Sequence, residues 1–289
     1  MKNMTNTLIC VLFIIALSGY GFCAFFIEPE IDKSYAAFNE KANCESVNVP
    51  SVMYHLVIND RAKSGEYVIT PDEFEKDIIY FNNLGYTPVF VSEVAEYANG
   101  TGELPPKPIL ITFDDGYYNN YLNIFPIATK HKVKINIALI GKYTRQHSES
   151  EEISEIYTHL TYDHIKEMKD SGLVEFGNHS YDLHKITALR RGVQKAGLES
   201  DDEYKTVLKD DFVNIHCDIK NKCDIEMKYF AYPYGFVSKE AERILRDMGY
   251  SAFLTCNEGE NVIVKGSGSL SEIKRYNRPS GKDISHIIK

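Results

Sequence analysis

Two short segments carry residue types suited to hydrolytic chemistry: Thr112-Phe113-Asp114-Asp115-Gly116-Tyr117 and Asn178-His179-Ser180-Tyr181-Asp182-Leu183-His184. Each follows an apolar, β-prone run, Pro108-Ile109-Leu110-Ile111 for the first and residues 173–177 for the second, so each is expected at the end of a strand. One carboxylate and two imidazoles can hold a divalent cation with positions left open for water and substrate, and the remaining carboxylate can serve as a base. Neighbouring residues at a strand end point in different directions, so Asp115, with His179 and His184, can bind the cation while Asp114 faces the water beside it. Two acids this close repel each other, and a cation between them removes the conflict. Out of context an Asp-Asp-Gly triplet reads as a surface turn. The buried-strand run before it favours a site. His179 and His184 are five apart rather than the four of a helical ligand pair, so a loop must bring them together.

The elements that position these segments alternate along the chain. Strand-like runs fall at residues 51–57, 87–91, 108–113, 134–140, 173–177, 227–232 and 251–255. Helix-like stretches lie between most of them. Residues 71–83 put Phe74, Ile78 and Phe81 on one face, and residues 161–171 and 238–249 each open on an N-cap candidate and stop near a glycine. This alternation predicts an α/β fold with a parallel sheet covered by helices, and about seven strands is near what closes a barrel. An open doubly wound sheet is the alternative, but no glycine-rich nucleotide loop opens a helix. In such barrels chemistry gathers at the C-terminal ends of the strands, where Asp114, Asp115, His179, the Tyr232-Pro233-Tyr234 run and His55 are all expected.

With 289 residues, 44% hydrophobic and 25% charged, the chain can bury one large core. Its formal net charge of -9 argues against a nucleic-acid or anionic-membrane partner, because either would select a basic face. A monomer is expected. Residues 1–26 begin with Lys2 and then run apolar from Leu8 to Phe26, as in a secretory signal peptide or an N-terminal membrane anchor, which predicts a secreted or otherwise extracytoplasmic protein. Residues 27–48 read as a spacer and residues 49–289 as the domain. Outside the leader, Cys44, Cys217, Cys223 and Cys256 remain, some of them expected to be oxidised after export; Cys217 and Cys223 are near enough in sequence to bridge locally.

The two opening segments resemble the first two motifs of the polysaccharide deacetylase family, carbohydrate esterase family 4, also called the NodB-homology domain. Four residues between the histidines, where the usual family pattern has three, match the longer form carried by a subgroup similar to poly-N-acetylglucosamine deacetylases. The resemblance implies a distorted (β/α) barrel, one divalent cation with zinc expected and cobalt or nickel as alternatives, and an N-acetylated glycan as partner. It also implies Asp114 as base, with the Tyr117 N–H holding the oxyanion. The family's third motif, Arg-x-Pro-Tyr, is here Ala231-Tyr232-Pro233-Tyr234 without its arginine, so Arg275 or Arg278 would have to orient Asp114, or the base is less well tuned. The fourth motif centres on a tryptophan, and the chain has none. For the general acid, His55 in Val52-Met53-Tyr54-His55 fits a circularly permuted motif order, while Ile284-Ser285-His286 imitates the ordinary late motif in what reads as a mobile tail; His55 is favoured. Tyr117, Tyr118, Tyr232 and Tyr234, with Pro233, can offer faces to a sugar or simply pack the rim. His131, His147, His159, His164 and His216 read as surface residues. An O-acetyl polysaccharide esterase would use the same site, and a catalytically weak carbohydrate-binding protein would fit the missing arginine.

Overall fold

The computed structural model describes residues 45–268 and 270–289; the expected leader and Cys44 lie outside them. The strands are β1 (Ser46–Asn48), β2 (Ser51–Tyr54), β3 (Leu56–Val57), β4 (Val68–Ile69), β5 (Thr87–Val89), β6 (Pro108–Phe113), β7 (Ile135–Leu139), β8 (Val174–Asn178), β9 (Tyr229–Ala231), β10 (Ala252–Leu254), β11 (Val262–Val264), β12 (Leu270–Ile273) and β13 (Tyr276–Asn277). The helices are α1 (Pro71–Asn83), α2 (Val91–Ala98), α3 (Phe125–His131), α4 (Gly141–Ser148), α5 (Tyr162–Asp170), α6 (Asp201–Cys223) and α7 (Lys239–Asp247). β1, paired with β11, begins inside the stretch expected as spacer.

A parallel sheet runs in the order β12-β10-β9-β8-β7-β6-β2-β13, with β5 also paired to β6. Its two edge strands are halves of one broken strand: β12 pairs with β10, β13 pairs with β2, and Lys274-Arg275 crosses the seam between them. The sheet thus closes as a distorted (β/α) barrel, the expected fold. The expected strand over 87–91 ends at Val89, because the Glu93 carboxylate accepts the Phe90 N–H (2.7 Å) and starts α2. α2 packs Val91, Val94, Ala95 and Ala98 against Leu110, Ala138, Ala252 and Leu254 inside the barrel. Its first N–H groups reach Asn136 and Glu175 near the starts of β7 and β8, so it floors the end opposite the candidate site.

Helix starts follow their caps. Thr70 and Glu73 form a capping box ahead of α1, Thr161 caps α5 and Ser238 caps α7. The larger core lies between the sheet and these helices, with Phe74, Ile78 and Phe81 of α1 fully buried in it. The C-terminal segment is not a loose tail. Ile284 and Ile288 are 3% and 2% exposed, and Tyr80 on α1 donates to the Ile288 carbonyl (3.0 Å). Apolar side chains in this short stretch give it a docking face.

Candidate active site

β6 is buried along its whole length and delivers Asp114 and Asp115 to the barrel mouth. The Asp114 N–H donates to the Tyr54 carbonyl at 2.9 Å, which fixes where the strand stops. Asp115 and Gly116 then adopt left-handed backbone angles, φ 71° and 69°. A side chain at 116 would meet Leu139 at 2.8 Å, so glycine is required there, whereas Asp115 carries backbone strain of about 1–3 kcal/mol.

Asp115, His179 and His184 converge, each offering a ligand atom within 4.8 Å of the others. Asp115 Oδ1 lies 3.5 Å from His179 Nε2 and 3.3 Å from His184 Nε2. His179 Nδ1–H donates to the Ala231 carbonyl at 2.7 Å, and because a carbonyl only accepts, Nε2 must present its lone pair to the site. Burial lowers the His179 pKa to about 3 and lowers that of His184, so both imidazoles are neutral donors at neutral pH. Burial, with Asp114 beside it, raises Asp115 to about 6 against the lowering effect of His55. Asp115 Oδ1 is buried without a hydrogen-bond partner. A buried, unpaired carboxylate oxygen facing two neutral imidazoles is a donor set that a divalent cation satisfies.

The loop between the histidines is held from beneath. Ser180 has φ 76°, and its N–H donates to Asn178 Oδ1 (2.7 Å). Asp211 on α6 accepts from the N–H groups of Tyr181 (2.8 Å) and Asp182 (2.7 Å). The four-residue spacing therefore has its own scaffold, which the sequence reading did not identify.

Asp114 is held by Arg275. The guanidinium donates to both carboxylate oxygens, at 2.7 and 2.8 Å, while its Nε–H donates to the Thr255 carbonyl at 2.9 Å and Nη1 reaches Thr112 Oγ1 at 3.2 Å. Burial alone would raise the Asp114 pKa, but Arg275 and then His179 outweigh it and hold the carboxyl well below its ordinary range. Arg278 is committed elsewhere, to Asp77 on α1 at 2.7 and 3.0 Å. The arginine missing from the 231–234 segment is thus supplied from the seam of the barrel.

His55 follows β2 into the same mouth, close enough for its charge to lower the pKa of both Asp114 and Asp115. Its carbonyl accepts from Asn120 (3.0 Å), its ring lies 4.8 Å from that of Tyr67, and its Nδ1 is buried without a partner. His286 is exposed on the docked C-terminal segment, whose last residues lie beside Asn48 and Pro50 at the start of β2, opposite the mouth. Tyr117 has its hydroxyl beside Asp115, and its N–H has no protein acceptor among the described residues. Tyr234, 44% exposed with φ 56°, rests its ring 4.5 Å from His184. Three expectations are corrected. Tyr232 is fully buried against Phe230 in the core and has no face for a sugar, and Pro233 is buried beside it. His159 is not a surface residue; it is 7% exposed. Cys217 and Cys223 do not bridge: they sit on α6, the first exposed and the second buried, and both are free, as is Cys256.

The sequence model described as polysaccharide deacetylase matches residues 101–253. A poly-beta-1,6-N-acetyl-D-glucosamine N-deacetylase of Escherichia coli K12 is 24% identical over 259 residues, covering 82% of this chain and 38% of that protein. The protein of the same name from Staphylococcus epidermidis is 26% identical over 232 residues, 76% of each chain. Among solved structures, IcaB from Ammonifex degensii superposes with a TM-score of 0.66 at 27% identity, covering 81% of this chain and 93% of that one. A de-N-acetylase from Aggregatibacter actinomycetemcomitans shares the fold, with a TM-score of 0.70 at 22% identity, covering 83% and 98%. The chain spans only 38% of the length of its Escherichia coli relative. Acids and histidines gathered at the strand ends of a (β/α) barrel, within the stretch that this family model matches, define the class of protein. The chain belongs to the polysaccharide deacetylase family.

Proposed function

We propose that the chain is a metal-dependent N-deacetylase that releases acetate from a polymer of N-acetylglucosamine. The observation that carries this reading is the pairing of an ionised, arginine-held Asp114 with a separate Asp115–His179–His184 set in one mouth. The names of the relatives support the substrate class. Asp115, His179 and His184 would hold the cation, zinc by the expectation from sequence, with cobalt or nickel as alternatives. When bound there, it lowers the pKa of a coordinated water and draws electron density from the acetamide carbonyl.

The protein's own groups do the rest. Asp114, kept ionised by Arg275, takes the proton of the attacking water, and Arg275 fixes which way the carboxylate points. The Tyr117 N–H donates to the oxygen that becomes negative. His55 protonates the departing nitrogen, which is a poor leaving group until it is charged. The bidentate Arg275–Asp114 pair supports an active base over a weak binding protein. Export through the apolar stretch at residues 8–26 is part of the proposal.

The test is acetate release from N-acetylglucosamine oligomers, compared with an O-acetylated glycan, with and without chelator. The proposal expects chelator-sensitive release from the amide substrate. Release from the ester alone would move the protein to the esterase reading.

A further inference from the structure

His159 stands between two tyrosines. Its ring centroid is 4.7 Å from that of Tyr117 and 4.7 Å from that of Tyr143, with His147 stacked at 5.4 Å. The stack is tied to the turn that carries Asp115, because the Tyr118 N–H donates to the Thr158 carbonyl and the Leu160 N–H to the Gly116 carbonyl, both at 2.8 Å. Its outer ring, Tyr143, is 38% exposed in the first turn of α4.

α4 is fixed in turn to the histidine loop. The Gly141 and Lys142 N–H groups donate to the carbonyls of Ser180 and Tyr181, both at 3.0 Å. A side chain at 141 would meet Ile215 and Tyr181 at 2.9 Å, so glycine lets this helix approach. Tyr143 is therefore positioned from two directions relative to the Asp115–His179–His184 set, although no motif accounts for it. Tyr234, beside His184, is itself 44% exposed. Among the described residues neither the Tyr143 nor the Tyr234 hydroxyl bonds to a protein group. Rigid aromatic faces with free hydroxyls suit a neutral pyranose, which presents an apolar C–H face and a rim of hydroxyls.

Building on the deacetylase reading, we propose that Tyr143 is the stacking platform for the sugar unit next to the one that loses its acetyl group, with Tyr117 and His159 setting its distance from the Asp115 turn. The chain contains no tryptophan, so Tyr143→Trp places a single reporter there. In the full-length protein carrying Asp114→Asn to prevent turnover, an N-acetylglucosamine tetramer should blue-shift or quench its emission saturably. A Tyr86→Trp control at the opposite end of the barrel should not respond. In the otherwise unmodified enzyme, Tyr143→Ala should raise KM for the tetramer about tenfold with little change in kcat, and lower the preference for tetramer over monomer by the same factor, while Tyr143→Phe keeps most of that preference. A silent reporter at 143, or a loss confined to kcat and accompanied by loss of metal, would overturn the assignment. If the parent enzyme released no acetate from any oligomer, the deacetylase reading would fail by itself, and the fluorescence titration would still decide whether Tyr143 meets a sugar.

Discussion

Burial of Asp114 to 2% exposure would by itself make its carboxyl a weaker acid, yet Arg275 reverses the sign. A fork of two bonds, 2.7 and 2.8 Å long, both ionises the group and fixes its plane, which a lysine's point charge would do less well. Arg275→Met should therefore cost about 10²-fold or more in turnover and shift the acidic limb of the pH–rate profile to higher pH, as the Asp114 pKa rises. An unmoved acidic limb would remove Arg275 from this role. The residue was only half legible in the sequence. Arg275 lies in the break of the strand and Arg278 just after its second half, and nothing local separates them; Asp77, far away on α1, does so by capturing Arg278. Asp115 and the two histidines were legible because their spacing is set by strand ends, whereas the burial of Tyr232 depends on the helix and strand packed over it.

At the scale of elements, the histidine loop depends on a helix that the sequence reading missed. α6 has a capping box, Ser200 with Glu203, and buries Tyr204, Leu208, Phe212, Ile215 and Ile219 at helical spacing. That signal is in the sequence, among many charges on the outer face. Without that helix, Asp211 has no place under the loop. Asp211→Asn would replace an acceptor oxygen with a donor facing two N–H groups. It should weaken metal affinity about 10- to 100-fold while leaving the fold intact, as measured by competition with a chromophoric chelator. Unchanged affinity would mean that Asn178, the Ala231 carbonyl and the bonds from Gly141 and Lys142 hold the loop without Asp211. Helices α1, α5 and α7 were legible because their caps lie in the local sequence, whereas β12 and β13 were not, since they are short and their partners are remote.

For the molecule as a whole, several imidazoles are buried in neutral form, and this sets how it should respond to acid. Burial lowers His159 from 6.5 to about 3, with His147 adding to the effect. Between these values the unfolded chain binds the proton and the folded one does not, so stability rises with pH; the contribution is fully present above about 6.5 and is lost as pH falls toward about 3. His159→Phe should flatten the fall in stability measured with chelator present by about 1.4 kcal/mol per pH unit in that window. Parallel slopes for the variant and the parent would show that His159 is protonated equally in both states.

The barrel as a whole separates two carboxylates that are adjacent in sequence, giving Asp114 to an arginine from the seam and Asp115 to the histidines. Metal content and acetate release, measured together on Asp114→Asn and Asp115→Asn, test this division most directly. The account predicts that Asp114→Asn keeps its metal and loses about 10²- to 10⁴-fold in rate, while Asp115→Asn loses the metal and the activity with it. Equal metal loss in both variants, or full metal in both, would contradict it.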